Sequence, residues 1–301
     1  MLSQALVREL WLDEQDRVIG VRYERPDGAL EALACDALIL ACNGYGGNAA
    51  LVRELLPAMG DAVFAGHAGN DGSAITWGRS LGARLADLGG CQGHGSWAVP
   101  QGALVSWALM MEGGVQINAQ GQRFHNETLG YSEAAVEVLA QPGGVAWDVF
   151  DDTLLAFARG FPDFCEAEAA GAVKTCADAT ALARLIGCRV EPLRQTLAAI
   201  APDATAPDGR TFRRALSAPY HAVKVTGALF HTQGGLDVDA QCRVLRDNGA
   251  PFANLLAAGG AARGVSGNAI WGYLSGNGLL SAVAGGFIAA RTAATLLEST
   301  T

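Results

Sequence analysis

The feature that most narrows the fold is an apolar strand running straight into a glycine turn. Asp36-Ala37-Leu38-Ile39-Leu40-Ala41-Cys42 is almost wholly apolar, stops at Asn43-Gly44-Tyr45-Gly46-Gly47-Asn48, and gives way to helix-like sequence over 49–56. A strand apolar on both faces is covered on both sides, which signals a parallel sheet in an α/β fold. Glycines after such a strand let the backbone approach a phosphate or a ring closely, although a plain turn has the same composition. The pattern returns late in the chain, where Leu255-Leu256-Ala257-Ala258 ends in Gly259-Gly260.

Between these strands the character changes. Residues 5–12 and 17–23 alternate around a turn at 13–16 and predict a hairpin, with a third strand over 29–34 after Pro26-Asp27-Gly28. A helix is expected over 72–82 and a short strand over 83–88. From 103 to about 221, charged helices at 133–140, 151–158, 178–185 and 191–200 alternate with proline and glycine turns. Trp147-Asp148-Val149-Phe150-Asp151 looks like a lone strand there. A last helix spans 277–297. The expected organisation is one α/β domain from 1–104 and 222–301, with a parallel sheet and a small antiparallel sheet. A mostly helical α+β insertion at 105–221 interrupts it.

Composition excludes several function classes. The net charge is −9 with no cluster of lysine or arginine, so neither nucleic acid nor an anionic membrane is an expected partner. The seven cysteines, Cys35, Cys42, Cys91, Cys165, Cys176, Cys188 and Cys242, include no C-x-x-C pair. They read as buried free thiols in a reducing compartment, the cytoplasm. The five histidines are widely spaced, so no metal site is expected. Residues 264–290 carry no charge but hold seven glycines, two asparagines and three serines. That mixture predicts a buried glycine loop and a tightly packed helix, not a transmembrane segment.

Three further segments carry candidate chemistry. His231 and Thr232 lie on an apolar approach and precede Gln233-Gly234-Gly235, so His231 is either a satisfied structural histidine or a functional one. Trp271-Gly272-Tyr273-Leu274-Ser275-Gly276-Asn277-Gly278-Leu279-Leu280 opens the last helix. Glycines there expose N–H groups at a helix start, which favours negative charge; a glycine-rich helix contact would look the same. In Gly121-Gln122-Arg123-Phe124-His125-Asn126-Glu127, Arg123 and Glu127 have the spacing of an i,i+4 pair on a surface helix. No G-x-S-x-G, P-loop or H-E-x-x-H motif occurs.

Taken in order, ACNGYGGN (41–48), GNDG (69–72), GQRFHNE (121–127), HTQGG (231–235), LLAAGG (255–260) and GYLSGNGLL (272–280) resemble a flavoprotein family. Its members include soluble fumarate reductases, succinate dehydrogenase flavoproteins and 3-ketosteroid dehydrogenases. The resemblance covers nearly the whole chain. It implies an FAD-binding domain interrupted by a mobile cap, with Asn43, Gly44, Asn70, Asp71, Gly72, Gly259, Gly276, Asn277, Gly278 and Leu279 along FAD.

Three departures from the family pattern bear on function. No strand with a G-x-G-x-x-G turn precedes the hairpin, as though an N-terminal half or a partner subunit were missing. Gly260 stands where the family usually has an acidic residue. Tyr131 and Tyr273 stand where fumarate reductases carry arginines, which removes the bidentate donors a dicarboxylate needs. The W-G-Y-x-S-G loop at 271–276 resembles that of 3-keto-Δ4-steroid dehydrogenases, where tyrosines and a serine serve a neutral ketone. The resemblance therefore implies hydride transfer at a carbon–carbon bond beside a carbonyl, with Tyr273, Tyr131, Ser275 and His231 as catalytic candidates and a small-molecule substrate. The alternatives are reduction of a small unsaturated acid, with His231 on a carboxylate, and a non-catalytic split subunit.

Overall fold

The turn between the first two strands is built by one side chain. Asp13 Oδ1 accepts from the Gln15 and Arg17 N–H groups, both at 2.9 Å, and this local bonding folds Leu6–Leu12 back on Val18–Glu24. Leu30–Ala34 adds a third antiparallel strand. The computed structural model describes residues 1–298, so the last three residues of the expected 222–301 segment lie outside the described residues.

Two compact units emerge. Among the described residues, the first holds 1–56, 66–92 and 231–298, the second 57–65 and 93–230. The sequence reading put the change at 104/105 and 221/222. The units instead divide within two strands, Cys91–Ala98 and Tyr220–Thr232, because both belong mainly to the second unit's sheet. Residues 57–65 join that unit because Val63–Phe64 pairs in parallel with Ala228–Leu229.

In the first unit, Leu38–Leu40 pairs in parallel with Leu255–Ala257, and Arg243–Leu245 completes that sheet on the far side. The apolar strand is thus shorter than the 36–42 expected. Asn254 ties it to the antiparallel sheet: its Oδ1 accepts from Val18 N, and its Nδ2 donates to Val18 O and Asp36 O. Val18, Leu40, Ala74, Leu236, Phe252, Leu255 and Ala257 form the core between them. Asn48 caps the helix Ala49–Leu55 by accepting from two of its first N–H groups. Gly72 and Gly82, both left-handed, bracket the helix Ser73–Leu81.

The second unit corrects the expectation of a lone strand. Val145–Asp151 lies inside a seven-stranded sheet, antiparallel to Val115–Ile117 on one side and to the 13-residue Tyr220–Thr232 on the other. The expected helices form at Tyr131–Leu139, Asp152–Ala158, Ala179–Ile186 and Val190–Ala198, and Pro162–Ala169 adds one more. The sheet was hidden because its strands are buried on both faces and lose their alternation: the Val115–Ile117 side chains are all buried.

Arg123 and Glu127 also differ from expectation. They lie in an irregular segment, not on a surface helix, and Glu127 is fully buried. Arg123 binds it, Arg210 Nη1 approaches to 2.5 Å, and Gln116 N donates to it at 2.9 Å. Burial alone would push the Glu127 carboxyl up, but the two guanidiniums outweigh it and hold it below the usual range.

The final helix, Asn277–Glu298, is not tightly packed. Ala289 is buried beside Cys242, Leu256 and Ala258, whereas Leu279, Leu280, Val283 and Phe287 are more than half exposed. Among the described residues it is the one helix long and apolar enough, by length and composition, to cross a membrane. No cysteine is in a disulfide among the described residues; Cys91, Cys176 and Cys242 are buried, whereas Cys35, Cys42 and Cys188 are partly exposed and Cys165 is exposed, against the expectation of buried thiols throughout.

Candidate functional site

The glycine turns expected from sequence converge in the first unit. Asn43 adopts a left-handed backbone, φ 65°, which turns the chain out of the Leu38–Leu40 strand. Gly47 N donates to Asn70 O, Gly72 N to Gly44 O, and Asn48 Nδ2 to Asp71 O, so 43–48 and 70–72 form one bonded pair of loops. Thr232 Oγ1 accepts from Tyr45 N and lies so close to Gly44 that a Cβ there would meet it at 2.1 Å. The absence of a side chain at Gly44 is what lets the HTQGG segment reach this loop.

Beside these loops lies a cavity of about 630 Å³, in the range of small-molecule sites. Asn43, His231, Gly259, Tyr273, Ser275, Gly276, Gly278 and Leu279 line it, together with Gln92 and Gln233, which the sequence reading did not single out. No lysine, arginine, aspartate or glutamate is among the lining residues. Gly276 and Gly286 also face it, and a Cβ on either would meet nothing within 4 Å. Glycine at 286 leaves the space open rather than relieving a clash, whereas Gly276 is also required by its left-handed backbone, φ 83°. An uncharged wall, backbone-rich and glycine-cleared, suits a broad flat ring.

Four of the remaining candidates stand behind this wall, lining neither cavity. Gly44, Asn70, Gly72 and Asn277 pack and bond within the loops. Asp71 lines a smaller cavity of about 320 Å³ beside Trp77 and the first strand. Its Oδ1 accepts from Ser73 N and Oγ, which fixes the start of the Ser73–Leu81 helix.

Tyr273 Oη lies 3.4 Å from His231 Nε2, with the rings edge to face. Burial lowers the His231 pKa, and the nearby Thr232 carbonyl acts in the opposite sense. At neutral pH the imidazole is therefore neutral. Tyr131, the fourth catalytic candidate, belongs to the second unit, where it opens the helix Tyr131–Leu139 and stacks on His94 with centroids 5.2 Å apart. His94 is held neutral by burial, its pKa lowered to about 3. No group of histidine, cysteine or carboxylate side chains among the described residues is arranged to hold a metal.

A strand–glycine–helix architecture around a ring-sized uncharged cavity defines a cofactor-binding domain of the α/β class. The family model described as FAD binding domain matches residues 1–279, and the chain belongs to this family; its cofactor is FAD. A probable fumarate reductase, Ifc3, of Shewanella frigidimarina is 27% identical, over 96% of this chain and 49% of its own length. A 4-oxocyclohex-2-ene-1-carboxylate 5-dehydrogenase of Sinomonas cyclohexanicum is also 27% identical, over 87% of this chain and 51% of its own.

Among solved structures, the open form of a flavocytochrome c3 fumarate reductase superposes with a TM-score of 0.80 at 25% identity, covering 97% of this chain and 52% of that one. A 3-ketosteroid delta1-dehydrogenase from Sterolibacterium denitrificans shares the fold, with a TM-score of 0.78 at 23% identity, covering 97% and 59%. The chain spans about half the length of these two relatives.

Proposed function

We propose that this chain is part of an FAD-dependent oxidoreductase that adds or removes hydrogen across a carbon–carbon bond beside a carbonyl, in the manner of ketosteroid dehydrogenases. In this reading the first unit is the FAD-binding domain and the second is the cap. The observation that carries it is the Tyr273–His231 pair on a cavity wall with no charged side chain. FAD, when bound, supplies the two-electron chemistry. The chain's own residues do the rest. Asn43, Gly259, Gly276, Gly278 and Leu279 would hold the cofactor along the wall. Tyr273 donates to a neutral carbonyl oxygen or carries the proton that accompanies the hydride, and His231 and Ser275 position it.

A second reading is favoured by the relatives' names: reduction of a small unsaturated acid, with His231 on its carboxylate. The lack of any arginine or lysine among the lining residues weighs against it, since a carboxylate drawn from water needs a charged partner.

Tyr273→Phe keeps the ring and removes the hydroxyl. In the full-length, flavin-loaded protein assayed against ketosteroids and small unsaturated acids, turnover should fall by about a hundredfold or more with flavin content unchanged. Unchanged turnover removes Tyr273 from the mechanism and shifts the proton to Tyr131 or Ser275.

A further inference from the structure

Gly278 lines the cavity for a different reason from Gly276 and Gly286. Its backbone is not left-handed, and the space beside it is not open. A Cβ at 278 would meet the His231 ring, at 2.9 Å from Cε1, 3.2 Å from Nε2 and 3.7 Å from Nδ1. Two unbonded carbons sit best at about 3.5–4.0 Å, so the first of these contacts is repulsive. Gly278 is also the second residue of the helix Asn277–Glu298, where alanine has the higher helix propensity. Neither the backbone nor the helix asks for glycine here; the imidazole does.

Both sides of this contact are held. Asn277, one residue earlier, donates from Nδ2 to Gln233 Oε1 and, at 2.8 Å, to Ser266 Oγ. It accepts from the Ser281 hydroxyl at 3.1 Å, and these bonds fix the helix start. Gln233 Nε2 lies 2.8 Å from His231 Nδ1 and 3.4 Å from Nε2, so the amide rests against the ring. Gln233 is buried, and its backbone donates to Gly90 O at 2.8 Å and accepts from Gly264 N at 2.7 Å. The direction left open to the ring is the cavity, which His231, Tyr273 and Gly278 all line. Tyr273 Oη, 3.4 Å from Nε2, is at the outer limit of a hydrogen bond, so a small movement of the ring breaks the pair.

We propose that Gly278 is a positioning residue for His231: the side chain it lacks is the space in which the imidazole sits, and this seat keeps the ring beside Tyr273. The consequence for Tyr273 rests on the reaction proposed above. Any side chain at 278 moves the imidazole into the cavity and away from the phenol that handles the proton. In this role Gly278 touches no reacting atom and acts through His231. The role is separable from its place along FAD. A glycine needed for the cofactor alone would respond to substitution in the same way with or without the imidazole.

The test uses the 301-residue chain and needs neither flavin nor turnover. Gly278→Ala is made alone and in a His231→Ala background. Alone it should lower the midpoint of thermal unfolding, because overpacking outweighs the helix preference of alanine. With the ring gone, the same substitution should raise the midpoint. NMR titration of protein labelled in its histidine rings gives a second readout, and His231→Ala assigns the signal. Burial holds the His231 pKa below its ordinary value. Among the lining residues Tyr273 is the other titratable group, and none is charged. In Gly278→Ala the displaced ring should therefore titrate higher, toward about 6.5. The same change of midpoint in both backgrounds overturns the proposal, and so does a His231 titration that Gly278→Ala leaves in place. Both readouts stand apart from the Tyr273→Phe assay, so loss of this assignment and loss of the proposed reaction are told apart.

Discussion

Gln116 Nε2 donates to Asp148 Oδ1 at 2.8 Å inside the sheet of the second unit, and both side chains are completely buried. The second carboxyl oxygen, Oδ2, has no hydrogen-bond partner among the described residues. Burial pushes the Asp148 pKa up to about 7, with the Gln116 and Ser96 bonds opposing and the Glu127 charge adding to the rise.

This rise has a definite sign for stability. An aspartate in the unfolded chain loses its proton near pH 4, whereas the folded one keeps it until about pH 7. Between those values the folded state binds the extra proton, so stability falls as pH rises, by about 1.4 kcal/mol per unit. Asp148→Asn should therefore equal the wild type below about pH 4 and gain progressively, reaching about 4 kcal/mol by pH 7. Urea unfolding from pH 4 to 8 measures it. A difference that does not grow with pH would mean that Asp148 is ionised in the fold.

Glu127 should behave in the opposite way on removal. Its carboxylate neutralises Arg123 and Arg210, which are almost entirely buried. Glu127→Ala leaves the buried Arg210 guanidinium without a carboxylate and Arg123 with Asp208 alone, and should cost about 3–5 kcal/mol. Denaturant midpoints give the value, and a loss under about 1 kcal/mol would place these arginines in water.

Two glycines should respond to alanine with opposite signs. A Cβ at Gly44 would meet Thr232 Oγ1 at 2.1 Å, and overpacking of this kind costs about 1–3 kcal/mol. A Cβ at Gly286 meets nothing, within a helix where alanine is preferred by about 1 kcal/mol. Thermal unfolding of Gly44→Ala and Gly286→Ala should move in opposite directions from the wild type. The same sign in both would show that the loop at 43–48 yields to the added methyl.

The 301-residue chain alone should bind FAD weakly. The chain spans about half the length of the two relatives named above, and its large cavity offers no positive side chain to take a pyrophosphate. Titration followed by visible flavin absorbance should show no tight stoichiometric complex. A tight one would mean that the helix starts and loops described above suffice for the whole cofactor.

Much of the first unit was legible in the sequence because its signals are local. Asn43, Gly44 and Gly72 mark turns that only a few residue types make, and the apolar strands beside them have nowhere to go but a covered sheet. The second unit's sheet was not legible, because Asp148 and Gln116 read as polar surface positions until their partners are in place. Gln233 was overlooked for a related reason. It lies in the HTQGG motif, yet nothing local distinguishes it from a spacer; its weight comes from Asn277, 44 positions away. Tyr131 and Tyr273 were paired by the resemblance, and the structure sets them in different units.

The uncovered flank of the final helix changes how this protein will report on itself. Fluorescent dyes that light up on apolar surface are usually taken as a sign of lost tertiary packing. Leu279, Leu280, Val283 and Phe287 offer such a surface in the folded state. A dye-monitored melt should therefore begin bright, with a sloping baseline and a small rise, although the protein is native. Circular dichroism in the aromatic region, which senses packing around Tyr45 and Phe150 in the interior, is the measure that will tell folded from unfolded.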